Sequence, residues 1–233
     1  MTTWWPWGRL AASLLGFAAI IAQLILTLTI AIGSTTAWGG HLPTVVVNFF
    51  SFFTVLSNLA AAVVLAVAAV WAWTTGRDAT REPRWLAVTL ACVATYMITT
   101  GIVYNLLLRG IELPQGSTVP WSNEVLHVII PLFLLADVLF APKRRMLGWP
   151  ALATIAAFPI VWAVYTLVRA NLITSPGTGD AYWYPYPFLN PHLTPGGYLG
   201  VAGYIVGIAV AIIAVGAGVV WWSRRRAQAR ASR

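Results

Sequence analysis

Apolar residues run in six long stretches separated by short polar, glycine- or proline-containing segments. They cover about Leu10 to Ile32, Thr44 to Trp71, Trp85 to Leu108, Pro120 to Phe140, Trp149 to Arg169 and Tyr198 to Trp222. Each reaches the ~20 residues that a helix needs to cross the hydrocarbon of a bilayer. A helix also satisfies its own backbone groups, as spanning segments must. The pattern therefore predicts an all-α chain, a polytopic integral membrane bundle of six transmembrane helices within residues 1–222. A basic tail over 223–233 is predicted to be disordered. The first stretch follows Arg9 in the manner of a signal peptide, but its apolar run exceeds the usual ~7–15 residues and no small-residue cleavage site follows, so it is read as a span.

Charge sets the orientation. A net charge of +8 with 9% charged residues would suggest nucleic acid in a soluble domain, but here the basic residues flank apolar spans, and no nucleic-acid partner is expected. Arg9, Arg77, Arg81, Arg84, Lys143, Arg144, Arg145, Arg224, Arg225, Arg226, Arg230 and Arg233 fall on one side, leaving only Arg109 and Arg169 on the other. The positive-inside rule makes the richer side cytoplasmic, with both termini inside. Tryptophans mark the same boundaries, and Trp162 alone falls well inside a span. The Arg-over-Lys bias amid abundant Ala, Gly and Trp reads as a bacterial protein of the plasma membrane, with membrane lipids as its surroundings. The oligomeric state is left open.

Polar residues gather in the outer halves of four spans. In the second span Asn48, Ser51, Thr54 and Asn58 recur at helical spacing. Tyr104, Asn105 and Arg109 close the third, Asn123, Glu124 and His127 open the fourth, and Tyr165 and Arg169 end the fifth. Ionisable groups at such depth are costly and usually face a bundle interior or a wet cavity. Asp137, near the inner end, is read as a structural partner of Lys143 to Arg145. The connection from Asn171 to Gly197 is long and carries Tyr182, Trp183, Tyr184, Tyr186 and Phe188 between prolines, which predicts a lid dipping into the outer interface.

A hydroxyl and an imidazole limit the chemistry. No phosphate-cradling glycine loop, nucleophile elbow or paired-histidine zinc motif is present, and with His127 and Glu124 as the cluster's only ligand types, neither metal nor cofactor is expected. Thr54 can attack an ester carbonyl while His127 takes its proton. Asn58, Asn105, Arg109, Asn123, Glu124, Tyr165, Arg169 and Tyr184 are the candidate substrate-binding residues, with Asn105, Asn123 or Arg109 as oxyanion donors. Side-chain glue between helices, hydroxyls bonded back to their own helix and snorkelling arginines explain the same residues without a ligand. A transporter or lipid-binding protein using the same pocket fits as well.

Three motifs add to this reading: Phe52-Phe53-Thr54-Val55-Leu56-Ser57-Asn58, Asn123 to Pro131 with its histidine four residues before proline, and Trp183 to Asn190 with its Tyr-Pro-Phe-Leu core. The chain resembles in them the six-span family of androgen-induced membrane proteins and its bacterial relatives. Animal members are threonine hydrolases of fatty acid esters of hydroxy fatty acids. The resemblance implies a membrane-embedded ester hydrolase with Thr54 as nucleophile and His127 as its histidine. The Arg-rich tail and the long last outer loop depart from the family pattern.

Overall fold

The computed structural model of the chain describes residues 4–111 and 118–231, and these contain six helices long and apolar enough to cross a membrane. The first span is α1 (Trp5–Ile32). The second is split into α2 (Leu42–Phe49) and α3 (Phe53–Trp73), and the third is α4 (Arg84–Val103) continued by a π-helical turn over Tyr104–Leu108. The fourth comprises α5 (Pro120–Glu124), a π-helical turn over Val125–Ile129 and α6 (Ile130–Phe140), and α7 (Ala151–Ala170) and α8 (Tyr198–Ala231) complete the set. Six crossings bring both termini to one end of the bundle, the terminal end. Most of the connection between the third and fourth spans lies outside the described residues, as does Arg233.

Two elements differ from the predicted pattern. The second span is interrupted at residues 50–52, and α8 continues through Arg224, Arg225 and Arg226 to Ala231 where a disordered tail is predicted. Ala and Arg are strong helix formers. The extension is also tied down: Arg226 donates to the carbonyls of Val138 and Ala141, and the Ser223 hydroxyl accepts from the Leu147 amide.

Helix α4 is the central column. Leu86, Leu90, Ala91, Ala94 and Met97 are fully buried on it, packed among α3, α6, α7 and α8. Where α1 meets α3 the contact is made by small residues; a Cβ on Gly16 would lie 3.6 Å from that of Ala62, and the Ser13 hydroxyl donates to the Ala62 carbonyl at 2.7 Å. Close backbone approach through small residues is how helices associate where no hydrophobic effect draws them together. In contrast, α7 and α8 expose Ile160, Val161, Val164, Leu199, Val206 and Val210. A soluble protein would not present such faces to water, and a lipid environment covers them without cost.

The terminal end is closed by buried charges. Asp137 accepts from the Trp5 indole at 2.7 Å and from Arg9 through both carboxylate oxygens, at 2.8 and 3.1 Å. Arg144 lies 3.7 Å from Asp137 and 3.6 Å from Glu82, whose carboxylate also accepts from the Arg145 amide. Of the partners predicted for Asp137, Arg144 does lie beside it, but its main partner is Arg9 on α1, and Lys143 donates instead to the carbonyls of Gly76 and Arg77. An arginine one helix away offers a planar fork that matches both carboxylate oxygens, which a lysine cannot.

Glu82, in the loop between α3 and α4, is only 1% exposed, and burial pushes its carboxyl above the ordinary range despite Arg144 beside it. For an acid with a raised folded-state value, the stability contributed by the protonated form is fully present below the ordinary range and is lost as pH rises through the raised value. Glu82→Gln keeps an acceptor for the Arg145 amide and removes the buried charge. Thermal melts of purified protein in detergent should therefore show the variant less sensitive to pH between mildly acidic and neutral buffers than the parent. Identical pH profiles would contradict this.

Candidate functional site

The interruption of the second span lies at the level where its polar residues cluster. Phe52 is extended, so Ser51 and the first turn of α3 lose helical hydrogen-bond partners that hydrocarbon cannot replace. Both neighbours that supply them come from far along the chain. The Trp162 indole donates to the Ser51 carbonyl at 2.9 Å, and the Tyr186 hydroxyl accepts from the Thr54 amide at 3.2 Å. The loop between α7 and α8 brings Tyr186 there: Trp183, Tyr184, Tyr186 and Leu189 are buried, with Phe52 edge-on to both Trp183 and Tyr186. The predicted lid is a plug in the far end of the bundle.

Pro131 organises the other half of the site. Lacking an N–H, it leaves the His127 carbonyl without its α-helical donor and the Leu126 carbonyl without its π-helical one. Asn105 donates to the first at 3.3 Å and Asn58 to the second at 3.1 Å, while Asn58 also reaches the Thr54 carbonyl at 2.9 Å. One amide thus ties the first turn of α3 to the turn that carries His127. Gly101 lets α4 come this close, since a Cβ there would lie 2.9 Å from that of Pro131. Asn58→Leu should cost about 1–3 kcal/mol by stranding the Leu126 carbonyl. In a double-mutant cycle, Pro131→Ala should recover part of that loss by restoring a backbone donor, and strict additivity of the two changes would refute the pairing.

His127 is buried in the second π-helical turn. Its Nδ1 lies 2.9 Å from the Asn123 carbonyl, and because a carbonyl only accepts, Nδ1 carries the proton and Nε2 is the basic nitrogen. The ring stacks on Tyr104 at 3.7 Å between centroids. Asn123 donates to the Tyr104 hydroxyl, and the Arg109 guanidinium lies 5.4 Å above the same ring. Arg109 is in turn paired with Glu124 at 2.8 and 3.1 Å and donates to Asn105.

Thr54 faces a cavity of about 390 Å³ between α3, α4, α7 and α8. The volume suits one ligand, and apart from Thr54, Thr99, Thr100, Tyr104, Trp162 and Tyr186 its walls are apolar. Ile160 and Val164, which border it, are also exposed on the lipid-facing surface, so the cavity adjoins the membrane. The Thr54 hydroxyl lies 3.3 Å from that of Tyr186. Burial pushes the Tyr186 phenol above its ordinary value, which keeps it a neutral O–H.

The predicted site residues thus fall into separate groups. Thr54 and Tyr104 border the cavity, and His127, which does not, stacks on the Tyr104 ring. No hydrogen bond joins Thr54 to His127. Asn58, Asn105, Asn123, Glu124 and Arg109 hold the His127 turn and Tyr104 in place and do not border the cavity. Tyr165 and Arg169 meet the interruption instead: Tyr165 shares a hydrogen bond with Ser51 at 3.0 Å, and Arg169 donates to Asn48 at 2.7 Å and lies over Trp183. Tyr184 is buried against Asn171 and Tyr198, with its phenol pushed up to about 12 by burial. Sequence reading missed Tyr186, Thr99 and Thr100 as site residues; the interior position of Trp162 was the one signal that the second span needs a donor from outside. Comparison with family models, with curated proteins and with solved structures returns no match.

Proposed function

We propose that the protein is a membrane-embedded hydrolase of fatty acid esters, with the acyl chain in the apolar cavity, Thr54 as nucleophile and His127 as general base. The observation that carries the reading is a threonine hydroxyl at the wall of an acyl-sized apolar cavity, with a buried imidazole one aromatic ring away and its basic nitrogen defined. The resemblance in the Thr54, His127 and Tyr186 segments supports it. In the reaction Thr54 Oγ forms a bond to the ester carbonyl carbon as its proton passes to His127 Nε2. The bond to the alcohol oxygen then breaks and the alcohol leaves with that proton. Water repeats the sequence on the acyl-threonine, releasing the acid and restoring Thr54. Tyr104 must swing off the imidazole for His127 to reach Thr54, a side-chain motion of the kind that completes many sites only once substrate is bound.

A second reading, acyl-lipid binding without turnover, is favoured by one observation: the Thr54 hydroxyl is partnered by Tyr186 rather than by the imidazole. Labelling of the purified protein with an acyl phosphonate separates the two. Covalent modification that disappears in Thr54→Ala supports the hydrolase, and reversible acyl-chain binding with no modification supports the binder.

A further inference from the structure

Pro159 stands inside α7. Having no N–H, it leaves the Ile155 carbonyl without its α-helical donor, and the Tyr96 hydroxyl on α4 supplies one at 2.9 Å. Ile155 is fully buried and is also where α7 meets α8: a Cβ on Gly216 would lie 3.3 Å from Ile155 Cγ2 and from Leu152 Cδ2. One turn before its proline, α7 is thus pinned to both neighbours.

Beyond that level the two helices part. Every α7 residue that lines the Thr54 cavity follows Ile155 in the chain, and every α8 residue that lines it precedes Gly216. Because consecutive spans run antiparallel, both sets lie on the same side of the pin, toward the far end of the bundle. There α7 is loosely held: none of its residues between Ile155 and Thr166 is buried. Ile160 and Val164 on α7, with Ala209 and Ile213 on α8, line the cavity and are also exposed on the lipid-facing surface. Along this cleft the cavity wall and the lipid-facing surface are therefore one continuous hydrocarbon surface. The aqueous side is closed instead by the loop before α8, where Tyr186 and Leu189 are buried and the Phe188 ring packs on Tyr204 with centroids 5.8 Å apart.

We propose that the cleft between α7 and α8 is a lateral portal through which a single acyl chain passes between the bilayer and the Thr54 cavity, with α7 beyond Pro159 as its moving wall. A helix bends most readily where proline has removed a rung of its hydrogen-bond ladder. The Tyr96 bond and the Gly216 contact hold the preceding turn in place, so the motion is confined to the half of α7 that faces the cavity. The portal rests on the acyl chain placed in the cavity above and is independent of turnover.

The test follows a fluorescent polyene fatty acid, bound to the protein in phosphatidylcholine vesicles, as it exchanges against excess stearic acid, read as loss of energy transfer from tryptophan. Val164→Phe with Ala209→Phe narrows the cleft from both sides. The pair should slow exchange about tenfold and leave the affinity within about twofold, because an obstructed path raises the barrier equally in both directions. Val161→Phe, on the same helix and lipid-exposed but off the cavity wall, should leave the rate unchanged. Pro159→Ala, which returns a backbone donor to Ile155, should slow exchange as well. If the double variant fails to fold, each single phenylalanine should still slow exchange in part. A parent that takes up no fatty acid, exchange insensitive to Val164 and Ala209, or equal slowing by Val161→Phe would overturn the portal. Exchange quickened by Phe188→Ala alone would route the chain past the loop and overturn it too. Phosphonate labelling with exchange insensitive to the cleft sinks the portal alone, whereas slowed exchange without labelling sinks the hydrolase reading and leaves the portal standing.

Discussion

Asp137→Ala should destabilise the bundle by about 3–5 kcal/mol, the largest loss expected of any single substitution in this chain. Arg9 is 3% exposed and Asp137 1%, so removing the carboxylate leaves a guanidinium in a low-dielectric interior with no counter-charge in contact. The Trp5 indole loses its acceptor at the same time. Arg9→Ala should be comparably damaging, because it strands the acid with only the more distant Arg144. Replacing both by leucine should recover much of the loss, since a buried ion pair contributes little over well-packed apolar residues while a broken one is costly. Unfolding midpoints in mixed micelles would decide it. Singles that unfold like the parent, or a double variant worse than either single, would show that the pair does not hold the terminal end together.

The largest effect on activity is expected at Thr54 and His127. Thr54→Ala should abolish covalent labelling and hydrolysis together, while His127→Ala should lower acylation by about 10²–10⁴-fold, the range general-base catalysis commonly supplies. Tyr104 adds a signature particular to this site. Tyr104→Phe keeps the ring over the imidazole and loses only the bond from Asn123, so it should retain most activity. Tyr104→Ala should uncover the imidazole and raise its reaction rate with diethyl pyrocarbonate, read at His127 by peptide mass. Unchanged hydrolysis in His127→Ala would remove the proposed base whatever the fate of Thr54.

Hydropathy made the six spans legible because ~20 apolar residues in a row have few other uses. The interruption at 50–52 was not legible from the second span, since Asn48, Ser51, Thr54 and Asn58 suit an unbroken helix equally well. The residues that settle the break, Trp162 and Tyr186, lie on other elements. Pro131 carried more information than it first shows: a proline in a span announces orphan carbonyls, and asparagines on neighbouring spans are natural donors to them. On that ground Asn58 and Asn105 belong to the scaffold that holds Thr54 and His127. The burial of Arg9 and Glu82 was hidden because a flanking arginine and a loop glutamate ordinarily face solvent. Thr99 and Thr100 were passed over because a threonine in a membrane helix usually bonds to its own backbone.

The interruption also has a consequence for how the chain is made. The Ser51 carbonyl waits for Trp162, 111 residues downstream, and the Thr54 amide for Tyr186, 132 residues downstream. When the second span first enters a bilayer, neither partner has been synthesised, and a continuous helix is then the only arrangement that leaves no backbone group unpaired in lipid. The break, and with it the setting of Thr54, is thus a late step in biogenesis, completed only when the fifth span and the loop behind it have been delivered.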